Sequence, residues 1–167
     1  MKIKALWLRF QDSALSRVIF NAQVNQIVHN VLPQAYHDNE KYRDYLTAQV
    51  RKSFALSNKE KDVKQRTIYL TGKLAQFLPI ARQNAHLLCL GCRDRMELDY
   101  IEEKCKVKVT GLDLFSQDPR IQVGDMHHMP FENDKFDGIY ACHVLEHAYD
   151  LDRALKEMIR IIKPGGL

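Results

Sequence analysis

The sequence predicts an α/β fold, with a parallel sheet entered through a helical N-terminal region. Two observations carry this expectation. Apolar residues over the first 80 positions recur at helical spacing, and from His86 the pattern changes to strand, helix, strand. Charge divides at the same place: residues 1–84 hold 14 Lys and Arg against 6 Asp and Glu, whereas residues 85–167 hold 11 against 15. We therefore expect a basic helical region over 1–84 and a ligand-binding α/β domain over 85–167. A chain of 167 residues, 46% hydrophobic and 28% charged, suits one respectable core rather than two.

Ser13 is placed to cap a first helix, in which Leu15, Val18, Ile19, Ala22, Ile27, Val28 and Val31 form a stripe until Pro33. A second helix is expected over roughly 39–54. A third should run from about Lys59 to Leu78, with Val63, Leu70, Leu74, Phe77 and Leu78 on one face and Pro79 ending it. Apolar stripes need burial, so these helices are expected to serve as a lid over the ligand crevice or as an oligomer contact.

His86–Leu90 is a short apolar run closed by Gly91. A helix near Met96–Lys104 and an alternating stretch over Lys106–Leu114 complete a right-handed βαβ crossover. Ile121–Val123 after Pro119 gives a third strand and Phe136–Cys142 a fourth. Asp150 is placed to cap a last helix whose Leu151, Ala154, Leu155, Met158, Ile159 and Ile162 share one face, before Pro164-Gly165-Gly166.

Several function classes are set aside by composition. No run approaches the 18 or more apolar residues of a membrane span, leaving peripheral attachment as the one membrane role. The opening residues, broken by Arg9, do not read as a secretory signal, so Cys89, Cys92, Cys105 and Cys142 are expected to be reduced thiols in the cytoplasm. Lys41, Arg43, Arg51, Lys52, Lys59, Lys61, Lys64 and Arg66 alternate with polar residues, which reads as a solvated helix face in preference to a nucleic-acid contact.

A glycine turn after the first strand lets the chain approach a ligand closely, and an acidic residue about 20 positions later reaches a ribose hydroxyl. Gly91 and Asp113 are 22 apart. A dinucleotide would be served equally well by that pair alone. The following segments are Val123-Gly-Asp-Met-His-His-Met-Pro-Phe131, Asp134-Lys-Phe-Asp-Gly-Ile-Tyr140, Cys142-His-Val-Leu-Glu-His147 and Arg160-Ile-Ile-Lys-Pro-Gly-Gly-Leu167. In these four ordered motifs the chain resembles the class I methyltransferases, specifically the methyltransferase type 11 group, over about 80 residues.

The resemblance implies a Rossmann-like fold and S-adenosyl-L-methionine as cofactor, with Gly91, Cys92 and Arg93 along its methionine side. Asp113, with Leu114 beside it, is implied to hold the ribose, and Asp125 and Met126 the adenine. His143 completes the implied cofactor set. His147 and Glu146 are the candidate catalytic residues: His147 as a base, because an imidazole titrates near neutrality and the segment lies just past strand four, where such sheets bind ligands. The acceptor is not implied.

The first motif departs from the family pattern, since Cys89 stands where an acidic residue is usual and Arg93 and Arg95 where glycines or small residues are. A thiol is no substitute for a carboxylate toward an ammonium; Asp94 can take that role from the other side of the turn. The family fold also continues through three more strands, so the 167 residues are expected to form a fragment that binds cofactor weakly and turns over no acceptor. Rival readings are fewer. His143-Val-Leu-Glu-His147 fits an inverted zinc-protease motif, which demands both histidines on one helix face and a third ligand. Cys89-x-x-Cys92 lacks a second pair, and a nicotinamide enzyme would need G-x-G-x-x-G. The remaining alternative is a non-catalytic methyltransferase-like binding module.

Overall fold

The computed structural model describes residues 14–57, 62–77, 85–92 and 94–167. Its elements, in chain order, are α1 (Ala14–Val31), a 3-10 turn (Gln34–Tyr36), α2 (Glu40–Ser57), α3 (Gln65–Phe77), β1 (His86–Leu90), α4 (Arg95–Cys105), β2 (Lys108–Asp113), β3 (Ile121–Val123), β4 (Gly138–Ala141), a second 3-10 turn (Leu145–His147) and α5 (Leu151–Ile161). Expected Ser13, Lys59, Leu78 and Pro79 lie outside the described residues.

The sheet is parallel, with strand order β3-β2-β1-β4. β1 is the hinge of this order: His86 pairs with Lys108 of β2, and on the other side Leu87 pairs with Gly138 of β4. Strands flanked on both sides are apolar throughout, and Leu87, Leu88, Cys89 and Leu90 are all buried. Beside β4, the Leu167 amide donates to the Asp137 carbonyl (3.1 Å) and the Ile139 amide to the Leu167 carbonyl (2.8 Å), the staggered pattern of parallel pairing.

Two cores sandwich the sheet. Cys89, Cys92, Leu98, Ile101, Val109 and Tyr140 pack on the face covered by α3 and α4. Leu88, Leu90, Leu112, Met129, Phe136 and Ile161 fill the other, under α5. A third cluster joins Val24, Val28 and Val31 of α1 to Tyr42, Leu46 and Val50 of α2, and reaches the sheet through Leu114. Phe54 adds a ring contact to Phe115 (centroids 4.8 Å apart).

Differences from expectation are local and have physical causes. β2 begins at Lys108 because Lys106 turns left-handed (φ 55°) to cap α4, its amide reaching the Glu102 carbonyl at 2.9 Å. β4 is shorter than Phe136–Cys142 because Phe136 pairs instead with Ile162, the residue after α5. α1 buries Val24, Val28 and Val31 but leaves Leu15, Val18 and Ile19 exposed, so only the second half of its stripe is used. Asp150 caps α5 as expected, accepting from the Arg153 amide. Among the described residues no helix is long and apolar enough to cross a membrane.

Candidate functional site

The order β3-β2-β1-β4 reverses at β1, whose neighbours β2 and β4 leave in opposite directions, and such a switch opens a crevice beyond the carboxyl ends of the strands. A cleft lies there. Its floor is Leu90 and Gly91 at the end of β1, Leu112–Leu114 at the end of β2, Gly124–Met126 after β3 and Cys142–Val144 after β4. Its far wall comes from the N-terminal helices: Tyr45, Gln49, Lys52 and Ser53 of α2, then Lys64, Arg66 and Thr67 at the start of α3.

Gly91 has φ of +76°, and its amide donates to the Leu112 carbonyl at 2.7 Å. A Cβ there would stand 2.5 Å from Val144 Cγ2, so only glycine lets the β1 turn close over the β4 turn. Cys92 was expected to line the cleft, yet its side chain is fully buried and absent from the cleft wall. Its Sγ donates to the Cys89 carbonyl and fills the space left by Gly111, where a Cβ would meet it at 2.4 Å. The turn thus buries this side chain, and residue 92 does not border the cleft. Arg93 lies outside the described residues.

Asp94 caps α4, accepting from the Met96 amide at 3.2 Å, and still faces the cleft. Glu97, one turn on, accepts from Thr67 Oγ1 at 2.7 Å and ties α3 to α4. Burial pushes the Cys89 thiol well up, keeping it neutral.

Asp113 is 8% exposed at the end of β2; its Oδ1 accepts from the Phe115 amide at 3.2 Å in a local turn, and Leu114 and the carboxylate both border the cleft. Asp125 is 2% exposed. Its Oδ1 takes the His127 amide (2.7 Å) and ring Nδ1 (2.5 Å), and its Oδ2 takes the Tyr42 hydroxyl. Met126 sits beside it in the cleft.

His143 (φ 54°) places Nδ1 3.3 Å from Glu146 Oε1, both half exposed at the cleft mouth. Glu146 is held below the ordinary carboxylate range chiefly by its own backbone amide, against the opposing effect of desolvation and with lesser help from His143 and His147. His147 also borders the cleft; its carbonyl accepts from the Tyr45 hydroxyl, and burial followed by the charge of Asp125 pushes the Tyr45 phenol up. Within His143–His147 only Leu145–His147 forms a 3-10 turn, in place of the helix that a zinc-protease motif requires, and among the described residues no three His, Cys, Asp or Glu side chains converge to hold a metal.

The sequence pattern missed Tyr42, Tyr45 and His127. The two tyrosines lie on a helix more than 80 residues from their partners, where an aromatic reads as core; His127 stood inside a quoted motif without a role.

A family profile described as a methyltransferase domain matches residues 88–167. Sterol 24-C-methyltransferase erg6 of Schizosaccharomyces pombe is 46% identical over 44 residues, 26% of this chain and 12% of that protein. The phosphoethanolamine N-methyltransferase 2 of Haemonchus contortus, solved with phosphomonomethylethanolamine and S-adenosylhomocysteine, superposes with a TM-score of 0.53 at 18% identity, over 75% of this chain and 34% of that one. The (4+2)-cyclase SpnF does so at 0.51 and 20%, over 81% and 59%. The matched segments span 12–20% of the curated relatives' length. With its sheet order, its glycine turn and the matched segment all in the same 80 residues, residues 88–167 form a methyltransferase domain whose fold is that of the class I S-adenosylmethionine-dependent enzymes.

Proposed function

We propose that the chain binds S-adenosyl-L-methionine in the cleft at the ends of β1, β2 and β3 and directs its methyl group to an acceptor entering past β4. One observation carries this reading: Gly91, Asp113 and Asp125, from three separate strand ends, border a single cleft. The residues fit the cofactor. Asp113 supplies a carboxylate for two ribose hydroxyls, where charge-assisted hydrogen bonds are strongest. Asp125 and the backbone at Met126 face the adenine. The tight turn at Gly91 and Cys92, with Asp94 opposite, takes the methionine end, and Leu114 and His143 flank the two ends of the cleft.

When bound, the cofactor supplies an electrophilic methyl on a sulfonium, so this chain's task is to align the acceptor, exclude water and receive a proton. His147 is the group proposed to take that proton. Glu146, held ionised, pairs with His143 at the entrance. The wall from α2 and α3 closes the cleft on the side away from the sheet, which supports a lid role for residues 1–84. Four free cysteines support a reducing, cytoplasmic setting.

The acceptor is left open: the similar proteins are named for a sterol carbon, an ethanolamine nitrogen and a cyclisation, and shared fold does not transfer substrate. Isothermal calorimetry of the 167-residue chain with S-adenosylhomocysteine tests the reading. Saturable one-to-one binding that is weakened by Asp113→Ala is expected. No heat and no thermal stabilisation at high ligand would leave a non-binding methyltransferase-like module.

A further inference from the structure

Tyr42 and His127 bracket the Asp125 carboxylate inside the protein, and the hydrogen-bond roles in this trio can be assigned from geometry. The backbone amides of Tyr149 and Asp150 both point at His127 Nε2, at 3.1 and 3.2 Å. An atom that accepts two N–H donors carries no proton, so the ring proton sits on Nδ1. Nδ1 in turn faces Asp125 Oδ1 at 2.5 Å, with the Tyr42 oxygen 2.9 Å away. Together with the His127 amide, this fills both lone pairs of Oδ1. The Tyr42 hydroxyl takes one lone pair of Oδ2. One acceptor site is left on a carboxylate that is otherwise immobilised, and the residue lies on the cleft wall.

Resting on the proposed placement of adenine at Asp125, we infer that Tyr42 is a positioning residue that sets cofactor affinity and base discrimination through that carboxylate. A single fixed lone pair accepts one N–H, as the adenine amino group offers. It repels the carbonyl oxygen of a 6-oxo purine. Removing the tyrosine hydroxyl opens a second site on Oδ2, which a water can fill; a carboxylate wetted in this way tolerates either base. Tyr42 itself is held from outside the cleft, stacked on Tyr36 with centroids 4.0 Å apart and edge-on to Tyr149 at 5.0 Å, so the phenyl ring stays in place when the hydroxyl is lost.

The test compares S-adenosylhomocysteine with S-inosylhomocysteine by calorimetry on the full 167-residue chain. Tyr42→Phe is expected to weaken the adenosyl ligand about five- to tenfold while leaving the inosyl ligand nearly unchanged, so that the preference collapses. Tyr36→Phe, which keeps the stack and lies outside the cleft, is expected to retain the parent preference. Equal weakening of both ligands by Tyr42→Phe, or no weakening of either, overturns the inference. Asp125→Asn separates the two levels: weakening of the adenosyl ligand by this variant upholds the adenine placement whatever Tyr42 does, and its absence overturns both.

Discussion

Gly91 approaches Val144 so closely that a Cβ on residue 91 would stand 2.5 Å from the valine Cγ2, and the same glycine holds φ at +76°. The close approach seals the β1 turn to the β4 turn beneath the cleft. Gly91→Ala is therefore expected to destabilise the fold by about 2–5 kcal/mol, combining a left-handed alanine with an overpacked contact. Urea unfolding measures it. Adding Val144→Ala should recover the overpacking share and leave the backbone share. A single variant indistinguishable from the parent would refute the contact.

Asp113→Ala is expected to cost about 1.5–3 kcal/mol of S-adenosylhomocysteine affinity, the range for a hydrogen bond to a charged group. Asp113→Asn should lose nearly as much, because the amide keeps one acceptor but drops the charge. Unchanged affinity in a folded variant removes Asp113 from the site.

The four thiols should divide by position. Cys89 and Cys92 are buried, whereas Cys105 and Cys142 are partly exposed, and Cys142 borders the cleft. Mass spectrometry after brief treatment with a small alkylating reagent should find label on Cys142 and, more slowly, on Cys105, whose thiol is pushed up by burial. Bound S-adenosylhomocysteine should protect Cys142 alone. Equal protection of Cys105 would place the ligand elsewhere.

Glu157 and Arg160 fasten α5 to the loop after β3. Glu157 Oε2 accepts from the Met129 amide at 2.7 Å, and Arg160 donates to Glu157, to the Phe131 carbonyl (2.7 Å) and to the Met129 carbonyl (3.0 Å). Burial pushes the Glu157 carboxyl up, but the Arg160 hydrogen bonds and the Met129 amide together outweigh it and hold the group low. A folded value below the unfolded one stabilises the fold above the ordinary carboxylate range, and that contribution is lost as pH falls through the folded value. Thermal melts of the parent against Glu157→Gln should thus differ at neutral pH and converge in acid. Parallel curves across that range would exclude the linkage.

Much of the sheet was legible because β1 and β3 are bounded by residues with few alternatives: Gly91 after one, Pro119 before the other. The strand-end lining of the cleft was legible where turn chemistry marks it, at Gly91, Asp113 and Asp125. What the pattern could not supply was partnership. Amphipathic spacing shows that α5 has an apolar face, yet Leu151, Leu155 and Ile159 of that face remain exposed while Ala154 and Ile161 are buried, since periodicity fixes a direction on the helix and not the surface it meets. The same limit hid Tyr42, whose partner lies 83 positions away. The burial of the Cys92 side chain was hidden for another reason: two arginines nearby make the turn look open, whereas the thiol packs under Gly111.

The attachment of α1 and α2 has a dynamic side. Their shared cluster is built on Val24, Val28, Val31, Leu46 and Val50, and among the described residues it meets the α/β part through Leu114, Phe115, the Tyr42–Asp125–His127 trio, the Tyr45 hydroxyl on His147 and the rings of Tyr36, Tyr42 and Tyr45 against Tyr149. Having a core of its own, such a unit is expected to open as one piece before the rest of the molecule unfolds. Its opening bares a carboxylate and an imidazole that are 2% and 0% exposed when it is shut. Any ligand that bonds Asp125 in the shut form alone therefore slows that opening, and amide exchange along α2 becomes a reporter of what occupies the far end of the cleft.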